Sequence, residues 1–251
     1  MSTTGNLELS AAAYDGFALA YDHFFAPEAA TATLRALERL LLKHLPSGST
    51  ILELCCGTGE LTRTLVDRNY RVTGIDNSMG MLQLAQTRVP GARFQHADIR
   101  NLQVASTYDA VISAYNSLPH ITSRDDLLRL FRSVRKLLSA GGRFIFDLYG
   151  VAAYAERWRG SFCKVDEQVA CIVRASYDAA ARQGENHITI FHHDGDWKRT
   201  DVVLRTHCYS QDDLFDLLRT AGFRATVYEG TRDLGISEAA GREFWVCIGG
   251  P

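Results

Sequence analysis

The stretch Ile51-Leu-Glu-Leu-Cys-Cys-Gly-Thr-Gly-Glu-Leu-Thr62 reads as a buried strand, a tight glycine turn and the opening of a helix. The apolar run with Glu53 near its end points to the carboxyl edge of a parallel strand. Gly57 and Gly59 remove side chains where the backbone must approach a ligand. Ligands of open α/β sheets sit at that edge, so this turn marks the expected cleft.

On either side of the turn, strand and helix patterns alternate. The spacing of Leu34, Leu37, Leu41 and Leu45 predicts an amphipathic helix from Pro27 to Leu45. After the turn come strands at Arg71–Ile75, Arg93–Gln95, Ala110–Ser113 and Arg143–Leu148. Between them, Ser78 and Ser123 are placed to cap helices, the second stopping at Gly141-Gly142. This alternation predicts a parallel sheet covered on both faces.

After Gly150 the period changes to two. Cys163, Val165, Val169, Cys171, Val173 and Tyr177 fall on one side of the pattern. With His187–His193, Lys198–His207 and a turn at Asp194-Gly-Asp196, they predict a three-stranded antiparallel insertion. Ser210 opens a further helix closing at Gly222, and Ala225–Tyr228 and Phe244–Ile248 form a last pair of strands. The fold class is therefore α/β, a Rossmann-like doubly wound sheet of seven mostly parallel strands with an antiparallel insertion after strand five. The expected division is a helical lid over 1–46, a core over 47–150, the insertion over 151–209 and the rest of the core sheet over 210–251.

Composition excludes several classes of function. The chain has 251 residues, 46% hydrophobic, with a net charge of −2 and no basic block, so nucleic acid is not an expected partner. No apolar stretch is long enough to span a bilayer, and the polar opening Met1-Ser-Thr-Thr lacks a signal-peptide pattern. A cytoplasmic location is the default expectation. None of Cys55, Cys56, Cys163, Cys171, Cys208 and Cys247 forms a Cys-x-x-Cys pair, so reduced, buried thiols and no metal are expected. Adjacent His192 and His193 point to opposite faces of a strand and do not share a ligand.

Four features line up with chemistry. The glycine turn carries Glu53. Asp76 ends the second strand, where a carboxylate takes both hydroxyls of a ribose. Asp98-Ile99 follows the third strand, where an acid accepts from the exocyclic amine of an adenine. The fourth strand runs into Ala114-Tyr115-Asn116-Ser117-Leu118-Pro119-His120, facing the reacting end of a bound ligand.

These residues resemble the class I S-adenosylmethionine-dependent methyltransferases from about Tyr14 to Ile248. Glu53 with Gly57-Thr58-Gly59 matches the family's first motif, where glycine often stands in place of Cys55. Tyr14 to Asp22 and the insertion are similar to small-molecule members, some acting on amino sugars and other natural products. The resemblance implies a donor site of Tyr21, Glu53, Cys55, Gly57, Gly59, Asp76, Asn77, Met79, Asp98, Ile99, Ala114 and Tyr115. It implies S-adenosyl-L-methionine as cofactor, S-adenosyl-L-homocysteine as product, a small-molecule acceptor as partner, and a monomer or homodimer.

An amine or hydroxyl acceptor must also lose a proton. His120 is the first candidate base, and an unperturbed histidine titrates near about pH 6.5. Tyr14 is the second, because the resembling sugar N-methyltransferases use a Tyr and a His around the acceptor. Tyr154, Arg157 and Trp158 either contact the acceptor or support the lid, whereas Phe24 and Phe25 are expected to pack the N-terminal helices.

Three other readings compete. One keeps the donor but catalyses a cyclisation or elimination. Another is a nicotinamide-dependent oxidoreductase, which Thr62 disfavours because the dinucleotide turn wants Gly-x-Gly-x-x-Gly. The last is a non-catalytic binding subunit.

Overall fold

The computed structural model describes residues 5–103 and 106–250. Residues 1–4, and with them the start of the polar opening, lie outside the described residues. Two N-terminal helices, α1 (Gly5–Phe24) and α2 (Ala26–Leu40), precede the first strand. The core then runs β1 (Thr50–Leu54), α3 (Glu60–Val66), β2 (Arg71–Asp76), α4 (Met79–Arg88), β3 (Arg93–His96), β4 (Tyr108–Ser113), α5 (Arg124–Leu137) and β5 (Leu138–Tyr149). After α6 (Val151–Arg157) come β6 (Gly160–Val165), β7 (Val169–Asp178), β8 (Gln183–Asp194) and β9 (Asp196–His207). The chain ends with α7 (Gln211–Thr220), β10 (Phe223–Glu229) and β11 (Arg242–Gly249).

The main sheet has seven strands in the order β10-β11-β5-β4-β1-β2-β3. β1 pairs in parallel with both β2 and β4, whereas β11 is antiparallel to β5 and β10. The strand order reverses at β1 and β4, and a crevice opens beyond their carboxyl ends. Successive residues of β1 enter opposite layers. Leu52 and Leu54 meet α5 and α7 through Leu130, Phe131 and Leu217, while Ile51 meets α2 and α3 through Leu37 and Leu65. Each such side chain contributes about 1.5–3 kcal/mol on burial, which pins the register of the strand that carries the turn.

The second sheet is four-stranded, β6-β7-β8-β9, where the sequence pattern predicts three strands. The period-two run is cut at Asp166, whose Oδ1 accepts from the amides of Gln168 and Val169 at 2.8 Å. Cys163 and Val165 therefore sit exposed on β6, and Cys163 departs from the expected buried thiol. The buried face of this sheet, including Cys171, Ile188 and Leu204, packs on Ala13, Phe17 and Ala20 of α1.

Two boundaries also move. The helix expected to reach Leu45 ends at Leu40, and Leu42–His44 forms a 3-10 turn. α5 stops at Leu137 because Leu138 already pairs with Tyr108, so Gly141 (φ +77°) lies in β5 at a register shift rather than ending the helix. Among the described residues, no helix is long and apolar enough to cross a membrane.

Candidate active site

The turn after β1 is made by three residues in the left-handed region: Cys55 (φ +55°), Gly57 (+54°) and Gly59 (+79°). A Cβ on Gly59 would come within 3.1 Å of the Ala85 Cβ, so glycine is required there on two counts. Cys55 adopts a glycine-like conformation despite its side chain, a strained choice for an L residue. Gly57 donates its amide to Asp76 Oδ2 at 2.8 Å, and Ser78 donates to Oδ1 at 2.9 Å. Loss of water around Asp76 raises its pKa above the ordinary carboxylate value, against the downward pull of those amides. Glu53 lies beneath the turn, 1% exposed, and its carboxyl is pushed up to about 8 by burial. Thr62 donates to Glu53 Oε2 at 2.6 Å, which gives the residue that breaks the dinucleotide pattern a polar task.

Beyond the turn opens a cavity of about 840 Å³, its open mouth included. Cys55, Gly57, Asp76 and Asn77 line one side; Asp98, Ile99 and Tyr115 line another. Tyr14, Tyr21 and His120 also border it. Glu53, Gly59 and Ala114 support its wall without lining it. Met79 does not line it either. Its side chain is 47% exposed at the start of α4, while Met81, 1% exposed, lines the cavity. Ser78 caps α4 by accepting from the Met81 amide at 3.1 Å, and that register turns Met81 inward.

Asp98 is not a free acid. Its Oδ1 accepts from the Arg100 amide at 2.9 Å, and Arg100 Nε bonds both oxygens at 2.9–3.0 Å. Arg100 itself borders the cavity, a residue that the sequence reading missed. The only local signal was its position two residues after Asp98.

α1 closes one side through polar contacts. Asp15 Oδ1 accepts from Ser78 Oγ at 2.6 Å and from the Gly80 amide at 2.8 Å. Asp22 pairs with Arg88 at 2.7 Å, and Arg88 in turn donates to the Thr58 carbonyl in the glycine turn. The Tyr14 hydroxyl lies 2.9 Å from His120 Nε2, and His120 Nδ1 lies 2.8 Å from the Arg205 carbonyl. A carbonyl only accepts, so Nδ1 carries the proton and Nε2 accepts from Tyr14. Desolvation pushes the His120 pKa down to about 4 and that of Tyr14 above the ordinary phenol value.

A second, larger cavity of about 1790 Å³, its open mouth included, lies between α1, α2 and the insertion sheet. Tyr21 and Tyr115 border both cavities. Tyr115 (φ +65°) and Asn116 (φ +56°) make a double left-handed turn at the end of β4. Asp147, 2% exposed, accepts from their amides at 2.9 and 3.3 Å. Arg242 bonds Asp147 at 2.8 Å and donates to Thr33 of α2 at 2.7 Å. None of Asp147, Arg242 and Thr33 was singled out in the sequence. Phe25 lines this larger cavity, beyond the expected helix packing, whereas Phe24 packs with α1. Arg157 and Trp158 line it too, and Tyr154 is buried against Trp158 with ring centroids 4.1 Å apart. Neither His192 nor His193 lines either cavity. Among the described residues, no group of three or more His, Cys, Asp and Glu is arranged to hold a metal ion.

Comparison with known proteins bears on this geometry. Residues 51–142, which hold the turn, Asp76, Asp98 and the end of β4, match the family model described as a methyltransferase domain. Over those residues the chain carries a methyltransferase domain. Over 217 residues it is 27% identical to YqeM of Bacillus subtilis (strain 168), provisionally described as a methyltransferase, spanning 84% of this chain and 86% of that protein. Over 91 residues it is 32% identical to a dTDP-3-amino-3,6-dideoxy-alpha-D-glucopyranose N,N-dimethyltransferase of Streptomyces fradiae, covering 36% of each. The fold superposes on an S-adenosylmethionine-dependent methyltransferase of Clostridium acetobutylicum ATCC 824 with a TM-score of 0.76 and 22% identity, covering 95% of this chain and 99% of that one. Cys55, where the resemblance leads to the expectation of glycine, takes the left-handed conformation that glycine favours.

Proposed function

We propose that this methyltransferase moves a methyl group to a nitrogen or oxygen, or in the same pocket a carbon, of a small natural-product or sugar-like acceptor. It would act in the cytoplasm as a monomer or homodimer. One observation carries the reading: a cavity built over Asp76 meets a larger one at Tyr21 and Tyr115. We assign the smaller cavity to the donor and the larger to the acceptor. Asp76 takes the ribose hydroxyls, with Asn77 beside it. Asp98 and Ile99 take the adenine edge, with Met81 in the place expected of Met79. Cys55, Gly57 and Gly59 give the turn its close approach, with Glu53 beneath them. Ala114, Tyr115 and Tyr21 bound the methionine end.

When bound, S-adenosylmethionine supplies an electrophilic methyl on a sulfonium. The residues then mainly position, an effect that reaches effective molarities of about 10⁵ M or more. Tyr14 and His120, which border the donor cavity, handle the acceptor's proton once its reacting atom reaches past Tyr21 and Tyr115 toward the donor. With its own hydrogen donated to His120 Nε2, the Tyr14 oxygen has a lone pair for an acceptor N–H or O–H. As that proton arrives, the Tyr14 proton moves to Nε2, and the imidazolium keeps its Nδ1–H on the Arg205 carbonyl. A histidine held down near about 4 releases the proton again, so the pair relays rather than stores it.

Incubation with methyl-labelled donor and a panel of amines and hydroxyl compounds tests this. Label in a product is expected. Tight binding of S-adenosylhomocysteine with no transfer to any acceptor would instead favour a cyclisation or another non-methylating step.

A further inference from the structure

The larger cavity has an unusual wall for a sugar. The insertion sheet presents Phe162, Val173, Ala175, Ile188 and Leu204 to it, with Asn186 as that sheet's one uncharged polar residue there. Phe17 and Phe25 add two more apolar rings from the helical side. A hydroxyl pressed against such a surface without a partner costs about 1–3 kcal/mol. The charges around the cavity are mostly compensated. Lys164 meets Glu28 at 2.8 Å, Glu238 meets Arg35 at 3.0 Å, and Arg242 meets Asp147. Arg157 differs. Its guanidinium stands 4.6 Å from the Tyr149 ring centre and donates to the Ala240 carbonyl at 3.1 Å. Among the described residues, no carboxylate lies within ion-pair reach of it. One uncompensated cation suits one negative charge, and a diphosphate would bring further charge toward Glu28 and Glu238.

Building on the assignment of this cavity to the acceptor, we infer that the acceptor is a flat, mainly apolar aromatic molecule with a single carboxylate directed to Arg157. It is not a nucleotide-diphosphate sugar, the class that the name of the Streptomyces fradiae relative carries. The rings of Phe25 and Phe162 pack edge to face, centroids 6.4 Å apart, and with Trp158 they line the space for its body.

Calorimetry on the full chain saturated with S-adenosylhomocysteine tests this with three probes: 2-naphthoate, neutral 2-naphthol and dTDP. The expected order places 2-naphthoate about tenfold or more tighter than dTDP. Arg157→Gln should weaken 2-naphthoate about tenfold and change 2-naphthol less than about twofold. Phe162→Ser, at a half-exposed position of β6, should weaken both aromatic probes. Tighter binding of dTDP, no aromatic binding at millimolar concentration, or equal loss of both aromatic probes in Arg157→Gln would overturn the inference. Failure of S-adenosylhomocysteine itself to bind would strike the donor assignment instead.

Discussion

The two cavities meet at Tyr21 and Tyr115 but are made of different material. The smaller is formed largely by one run of core chain, where left-handed residues expose backbone and short acids end adjacent strands. The larger is formed by side chains from α1, α2, the insertion sheet and β11, brought together across most of the sequence. A site made of backbone and turn chemistry leaves a local signature. A site made of side chains on separate elements leaves none until those elements are packed.

If the smaller cavity is the donor site, its acids should matter most. Asp76→Ala removes the acceptor of the Gly57 and Ser78 amides together with the proposed ribose contact. S-adenosylhomocysteine affinity should fall about 1000-fold or more, the scale of two charge-assisted bonds at about 1.5–3 kcal/mol each, with far-UV dichroism unchanged. Calorimetry showing unchanged affinity would remove the contrast between the cavities.

The seam between them should be the more fragile part of the fold. Arg242→Met leaves Asp147 as a buried, uncompensated carboxylate under a double left-handed turn. A loss of about 3–5 kcal/mol is expected in urea unfolding, because breaking one partner of a buried pair exposes the cost of the other. A loss below about 1 kcal/mol would mean that the turn is held by other contacts.

The proton relay predicts a smaller, kinetic effect. Tyr14→Phe and His120→Ala should each lower turnover about 10- to 100-fold while donor affinity stays within about threefold. Because His120 stays neutral down to about pH 4, its titration should leave no inflection in turnover between pH 6 and 9. An inflection near 6.5 that disappears in His120→Ala would show an unperturbed imidazole.

A pH-dependent effect lies under the glycine turn. The Glu53 pKa is raised from 4.5 to about 8, so the folded state holds a proton that the unfolded chain releases. Its contribution is complete below about pH 4.5 and is lost as pH rises through about 8. Glu53→Gln, which keeps the shape without the charge, should flatten the fall of thermal stability over that window. An unchanged slope in Glu53→Gln would mean that Glu53 ionises normally.

Most of the main sheet was legible because strand and helix periods are local. Ser78 and Ser210 cap the helices their positions imply, and Ser210 with Asp213 forms a complete capping box. Ser123 accepts from the Asp126 amide, but the Asp126 side chain turns to Arg129 instead of closing the box. Register was less legible. The turn at Asp166 shifts β6 out of the alternating pattern, and Met81 replaces Met79 because the cap at Ser78 fixes which side of α4 faces inward. Asp98 appeared as a free acid, and only the folded chain shows Arg100 gripping both its oxygens.

By itself, the sequence determined the alternation of strands and helices in the main sheet, the glycine turn and the acids at the ends of β1, β2 and β3. Each depends on residues within about one turn or one strand of one another, where backbone sterics and side-chain period act directly. Tertiary structure alone decided the Asp147–Arg242–Thr33 linkage, the Tyr14–His120 contact and the apolar wall of the larger cavity. Those contacts join residues from 95 to 209 positions apart along the first linkage, and 106 along the second. Only the burial of apolar surface between layers brings such residues within hydrogen-bonding range.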